Sequence, residues 1–290
     1  MTTDITLKNG FDAVRAALTP HYGADEADAM ARVIFEEMLH RSVVDIVLRK
    51  DTIISGFMHD KLMKVVSRLL DDEPLQYILG KTRFYGNELV VTPAVLIPRP
   101  ETEELVDIIV KDWGDRSDLA VLDICTGSGC IAVSLARTLK FADVSAVDLS
   151  PEAITVAKEN AARLKVSVDF RRADALQALT SNGDDRYDII VSNPPYVTER
   201  EKSAMAPNVL EYEPHMALFV PDDDPLRFYR AIGHYACSAL KPDGMLYFEI
   251  NPLFVDDLKK MLADMGLRDV ISLADMTGRQ RFITAKSPES

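Results

Sequence analysis

What this sequence has little of narrows its function before any motif is read. Cysteine is scarce, with Cys125, Cys130 and Cys237 the three in 290 residues. They show no metal-site spacing and no even number for a disulfide framework. Cys125 and Cys130 lie too near each other in a strand-to-helix turn to bridge, so a reducing, cytoplasmic location is expected. Basic residues are outnumbered, 33 against 46 acidic ones, giving a net charge of -13. The Arg and Lys residues are scattered among acids, which argues against a broad grip on phosphate backbone, and no direct nucleic-acid binding is expected. No apolar run approaches the roughly 18 residues of a membrane span, and Met1-Thr2-Thr3-Asp4 has neither a charged n-region nor an apolar h-region. Neither membrane attachment nor export is expected. His21, His40 and His59 lack a His-Glu-x-x-His pattern or a cysteine partner, so no metal is expected. There are no repeats, and only the last few residues read as disordered.

The apolar content suffices for a core, and the length suggests two domains. Residues 1–75 read as a small bundle of three or four amphipathic helices. Phe11, Val14, Ala17 and Leu18 recur at helical spacing, then Ala29, Met30, Val33, Ile34 and Met38, then Leu62, Val65, Val66 and Leu69. No catalytic signature falls in this bundle, which suits a recognition module. Residues 76–98 read as a β-hairpin linker, with strands at 82–85 and 88–91 around Gly86-Asn87. Residues 99–290 form the third segment. Across the junction, Ile97-Pro98-Arg99-Pro100-Glu101-Thr102-Glu103 leads into a helix, for which an early proline and acids at the positive end of the dipole are a sufficient reason. The proline bracket around Arg99 goes beyond that reason and marks the loop as bordering a site.

From Ala120 onward strands alternate with helices. Strands are expected at 120–125, 144–148, 166–171, 187–191, 245–250, 270–273 and 281–284, and helices at 131–139, 151–164, 226–240 and 254–265. This is the pattern of an α/β, doubly wound, mostly parallel sheet of seven strands. The last two strands have no long helix between them, so one antiparallel strand is expected there.

Gly127-Ser128-Gly129-Cys130-Ile131-Ala132 fits G-x-G-x-x-G/A after the first strand, and Asp148 follows about 20 residues on, at the end of the second. Glycines admit a ligand close to the backbone, and the carboxylate can accept both hydroxyls of a ribose. NAD and S-adenosylmethionine both satisfy that pattern. Asp174-Ala175, after the third strand, offers a second acid for an adenine amine, or alternatively a helix cap. Asp123, inside the first strand, is a candidate for the methionine end or a purely structural residue.

The tie is broken by Asn193-Pro194-Pro195-Tyr196. Residues 187–191 form a short apolar run after Gly183-Asp184-Asp185, and the consecutive prolines end the strand in a rigid turn at its carboxyl end, where open α/β sheets bind ligands. A planar NH2 group is a poor nucleophile, because its lone pair is delocalised. With one N–H accepted by the Asn193 side-chain oxygen and the other by the Pro194 carbonyl, the lone pair can turn towards an electrophile, while Tyr196 packs on the flat group. A hydride transfer has no use for such acceptors, so the cofactor is read as S-adenosyl-L-methionine, leaving as S-adenosyl-L-homocysteine.

With these residues in view, the chain resembles the HemK/PrmC group, the release-factor glutamine methyltransferases, over nearly its whole length. The resemblance rests on the N-terminal helices, Phe84-Tyr85-Gly86, residues 97–103, residues 121–132 and the Asn193 to Tyr196 turn. Tyr212-Glu213-Pro214, Phe248-Glu249-Ile250 and Asp275-Met276-Thr277-Gly278 complete it. It implies a class I S-adenosylmethionine-dependent fold. The implied reaction methylates the side-chain nitrogen, N5, of the glutamine in the Gly-Gly-Gln motif of peptide-chain release factors. By resemblance Cys125, Thr126, Gly127, Ser128, Gly129, Asp148, Asp174, Ala175 and Asn193 line the cofactor, while Asn193, Pro194, Pro195 and Tyr196 hold the substrate amide. Release factors are the expected partners of a monomer. A ribosomal-protein glutamine is the alternative substrate; a DNA adenine methyltransferase and a non-catalytic cofactor-binding adaptor are more distant readings. Two positions depart from the family pattern. Cys125 stands where glycine is usual, which a negative φ would accommodate, and Asn251 stands where glycine usually follows Glu249-Ile250.

Overall fold

Thr6 starts the first helix of the protein by accepting the Asn9 amide on its hydroxyl at 3.2 Å. The computed structural model describes residues 4–177 and 186–289. Met1-Thr2-Thr3, the Gly183-Asp184-Asp185 turn expected ahead of the fourth strand, and Ser290 lie outside the described residues. The chain divides into two units, Met1–Gly80 with Pro207–Tyr212, and Lys81–Ala206 with Glu213–Ser290.

In the first unit a short ladder, β1 (Ile5–Thr6) with β2 (Ile53–Ile54), accompanies helices α1 (Leu7–Tyr22), α2 (Ala24–Leu39), α3 (Val43–Leu48), α4 (Gly56–Leu70) and α5 (Leu75–Leu79). Leu7, Phe11, Val14 and Leu18 of α1 meet Leu62, Val65, Val66 and Leu69 of α4 in one apolar core, at about 1.5–3 kcal/mol for each fully buried large side chain. The buried stripe of α2 differs from the expected one. Ala27, Ala31, Ile34 and Phe35 face the core and Val33 is exposed, because the small alanines let α1 and α2 approach and Phe35 packs edge-on against Phe11 at 5.3 Å.

The second unit opens with a hairpin, β3 (Lys81–Phe84) and β4 (Asn87–Val90). Its turn is Tyr85-Gly86, not Gly86-Asn87. Both central residues have positive φ, 47° and 72°, the conformation that matches strand twist in two-residue hairpins. Helix α6 (Pro100–Trp113) starts with proline at its first turn and Glu101 and Glu103 beside it, as dipole and φ preferences require. The chain then runs β5 (Ala120–Ile124), α7 (Cys130–Thr138), β6 (Asp143–Asp148), α8 (Pro151–Leu164), β7 (Asp169–Arg172) and β8 (Tyr187–Ser192). After the minor strands β9 (Val197–Thr198) and β10 (Phe219–Val220), between which the sequence has a 3-10 turn and α9 (Pro207–Tyr212), the latter counted with the first unit, come α10 (Arg227–Ala239), β11 (Leu240–Glu249), α11 (Val255–Asp264), β12 (Arg268–Ala274) and β13 (Gln280–Lys286).

The main sheet has seven strands in the order β12-β13-β11-β8-β5-β6-β7, and β13 is antiparallel to both neighbours. That is the mostly parallel sheet and single reversed strand expected. The chain leaves β5 outward through β6 and β7 and returns to the other side of β5 as β8, so the switch point of the topology lies between β5 and β8. Residues 166–168, expected in the third strand, are not in it. Lys165 turns left-handed at φ 57° and the Val166 N–H still closes α8 on the Ala161 carbonyl at 3.1 Å.

Candidate active site

The carboxyl ends of β5, β6, β7 and β8 open onto one cavity enclosing about 1080 Å³, its solvent mouth included. Its wall contains Cys125, Thr126, Gly127, Ser128, Asp148, Asp174, Ala175, Asn193 and Pro195. Gly129, Pro194 and Tyr196 are not on that wall. Pro98, Arg99 and Thr102 are, so the proline-bracketed loop borders the site.

The glycine turn is held from below. Asp123, wholly buried, accepts the Thr126 hydroxyl at 2.6 Å and the Ala132 amide at 3.2 Å on Oδ2, while Oδ1 has no hydrogen-bond partner among the described residues. Burial pushes its carboxyl up to about 7. Asp123 is thus a support beneath the turn and is absent from the cavity wall. Gly127 has φ +55°, and a Cβ there would meet nothing within 4 Å. At Gly129, φ +79°, a Cβ would come within 3.0 Å of Ala157 Cβ, so this glycine allows α7 and α8 to pack closely. Cys125 corrects an expectation: its φ is +63°, in the left-handed region, so the backbone has the form glycine favours and a side chain occupies it at about 1–2 kcal/mol. Burial, then the charges of Asp148 and Asp123, raise the Cys125 thiol far above its ordinary value.

Asp148 accepts the Gly127 amide at 2.8 Å and the Ser150 amide at 2.9 Å, one on each oxygen. Burial raises its carboxyl and those amides oppose the rise. Asp174 accepts the Leu176 amide at 2.9 Å, which is the cap-like bond considered for it, and its residue also lies on the cavity wall.

Beyond β8, the Asn193 Nδ2 donates to Thr102 Oγ1 at 3.2 Å. Thr102 donates onward to Glu249 Oε2 at 2.7 Å, and the Tyr196 hydroxyl donates to Glu249 Oε1 at 2.9 Å. Burial raises the Glu249 carboxyl, and burial with the neighbouring Glu249 charge lifts the Tyr196 phenol well above its ordinary value. Glu213 is buried too, taking the Ile97 amide at 3.1 Å and the Arg99 guanidinium, which ties the 97–103 loop to the segment after α9. Asn251, the second departure, has φ -75° and so does not need glycine. Its amide donates to the Tyr196 carbonyl at 3.1 Å and to Glu201, and its oxygen accepts the Leu253 amide at 3.0 Å. No site role is expected for Glu249 or Asn251 from sequence, and Thr102 is expected near the site only as a member of the 97–103 loop.

A glycine turn open to the cavity, a carboxylate after the second strand and an Asn-Pro-Pro turn after the fourth, on a seven-stranded sheet with one reversed strand, define a class I S-adenosylmethionine-dependent methyltransferase. Residues 102–214 match the family model described as methyltransferase small domain, and residues 12–80 match the PrmC N-terminal domain. A release factor glutamine methyltransferase of Bacteroides thetaiotaomicron is 47% identical over 272 residues, covering 94% of this chain and 97% of its own. The same-named protein of Flavobacterium psychrophilum is 40% identical, covering 92% and 94%. A solved methyltransferase of Pyrococcus furiosus superposes with a TM-score of 0.52 at 18% identity over 77% of this chain and 98% of that one, a likeness of fold. The chain belongs to the release factor glutamine methyltransferase family.

Proposed function

We propose that this protein methylates the side-chain amide nitrogen, N5, of the glutamine in the Gly-Gly-Gln motif of peptide-chain release factors, with S-adenosyl-L-methionine as donor. The observation that carries the chemistry is Asn193 on the wall of the cavity that also holds Asp148 and the glycine turn. Its nitrogen is engaged on Thr102, which leaves Oδ1 as the free end of the amide among the described residues.

The residues present fit the cofactor. Gly127 leaves open space above the backbone, Asp148 and Asp174 supply carboxylates for ribose and adenine, and Ala175, Leu176 and Phe228 provide apolar wall. Bound S-adenosylmethionine supplies an activated methyl group on a sulfonium. On this reading Asn193 Oδ1 and the Pro194 carbonyl each accept one N–H of the substrate amide and turn its lone pair out of conjugation. Pro194 suits that task because it has no N–H of its own and its φ is fixed. Tyr196, anchored on Glu249, holds the turn in shape. Catalysis rests on positioning and two fixed acceptors, and no general base is required, because an alkylated amide nitrogen is acidic enough to lose its proton to solvent.

The helical unit, which carries no chemistry, is the proposed recognition module for the release-factor body. A cytoplasmic site of action accords with three free thiols, and the protein is taken to act as a monomer. Asn193→Ala is expected to cut turnover severely while cofactor affinity, measured by calorimetry, changes much less. Undiminished turnover in that variant contradicts the acceptor role.

A further inference from the structure

We propose that Thr102 is a positioning residue that sets which end of the Asn193 amide faces the substrate. This rests on the reading of Asn193 as an amide acceptor given above. An asparagine side chain is nearly symmetric in shape, and only its hydrogen-bond partners decide whether oxygen or NH2 points into a site. Here the decision is made two bonds away. Glu249 is 1% exposed and both its oxygens accept, Oε1 from Tyr196 and Oε2 from Thr102. A threonine hydroxyl has a single proton. With Glu249 ionised, that proton is committed to it, so Thr102 Oγ1 accepts, and the group it accepts from is Asn193 Nδ2.

Flipping the amide would set Oδ1 against the lone pairs of Oγ1. If the hydroxyl then rotated to donate to Oδ1, a buried carboxylate oxygen would lose its donor, which costs about 1–3 kcal/mol or more for a charged group. Thr102 itself is 2% exposed, so water does not readily substitute. The arrangement also explains why one carboxylate at the end of β11 binds both flanks of the Asn193–Tyr196 turn: Tyr196 directly, and Asn193 through the first turn of α6. The Thr102 and Glu249 side chains thus make the turn's orientation part of the sheet's own core.

The test uses the full-length enzyme with S-adenosylmethionine and a release factor, comparing Thr102→Val, Thr102→Ser and Asn193→Ala. Valine keeps the shape and removes the hydroxyl; serine restores it. The expected result is a kcat about 10-fold or more below wild type for Thr102→Val, as for loss of a fixed acceptor. KM and cofactor affinity should be little changed, and kcat should recover to within about 3-fold for Thr102→Ser. If Thr102→Val does not fold, Thr102→Cys, a weak donor and acceptor, is expected to show the same fall in kcat relative to serine. Thr102→Val turning over like wild type while Asn193→Ala is inactive overturns the positioning role alone. A serine variant as slow as the valine one also overturns it, since packing would then be what matters. Asn193→Ala turning over like wild type overturns the acceptor reading, and the positioning role with it.

Discussion

Asp123 makes the stability of this protein depend on pH. Its side chain is fully buried within β5, with two donors on Oδ2 and, among the described residues, no partner on Oδ1. Burial, opposed by those donors and assisted by the Asp148 charge, moves the carboxyl from 3.8 to about 7. For an acid whose folded value is raised, the contribution to stability is full below the unfolded value and is lost as pH rises through the folded one, here from near pH 4 to pH 7. At about 1.4 kcal/mol per pH unit, that is a loss of ~4 kcal/mol once the group is ionised. Asp123→Asn removes the charge. Its amide oxygen can accept from Thr126 and Ala132, and its nitrogen takes the place of the unpartnered Oδ1, at about 1–3 kcal/mol for a buried unsatisfied donor. At pH 8 the variant should therefore be ~1–3 kcal/mol more stable than wild type, and at pH 5 equal or less stable, the difference growing by ~2–3 kcal/mol between them. Urea unfolding followed by Trp113 fluorescence reads this directly. Trp113 is the sole tryptophan, is buried, and lies in the same unit as Asp123. Parallel stability curves for the two proteins across this pH range would refute the reasoning.

Three further outcomes are expected. Asp148→Asn should weaken S-adenosylmethionine binding about 10-fold or more by calorimetry, and an unchanged affinity would remove Asp148 from the proposed ribose contact. Cys125→Gly should relieve the left-handed backbone and raise stability by about 1 kcal/mol, or ~2–4 °C in Tm; a lower Tm would mean that packing of the thiol outweighs the strain. Arg99→Ala leaves buried Glu213 with the Ile97 amide as its remaining hydrogen-bond donor among the described residues, so Trp113-monitored unfolding should show a loss of about 2–4 kcal/mol, at the lower end because Arg99 is part-exposed; unfolding indistinguishable from wild type would refute it.

The main sheet and the cavity were legible because they depend on local pattern. Residues 187–191 are an apolar run stopped by two prolines, and β8 with its turn lies where that predicts. The glycine turn and Asp148 face one cavity because a parallel strand-turn-helix unit leaves little alternative. What was not legible depends on contacts distant in sequence or on backbone state. Glu249 meets Thr102 147 residues away, and nothing in either neighbourhood announces the other. The positive φ of Cys125 cannot be read from a non-glycine residue, and only the family's usual glycine hinted at it. The stretch between β8 and α10 escaped because its strands are two residues long and its turns are short. It is held instead by the Thr198–Glu201 capping box and by Glu213 on the 97–103 loop. The extension of β11 back to Leu240 was hidden by the irregular register at residues 241–244, where Asp243 takes φ 62° and a Cβ at Gly244 would lie 2.9 Å from the Tyr187 carbonyl.

Methyl transfer to one glutamine nitrogen is the reaction on which everything above depends. The direct measurement incubates the protein with labelled S-adenosylmethionine and a release factor, wild type or with the Gly-Gly-Gln glutamine replaced, and locates the methyl group by mass spectrometry. One methyl is expected on that glutamine side chain and none on the replaced version. Label that persists on the replaced release factor, or appears on a ribosomal protein and not on the release factor, would contradict it.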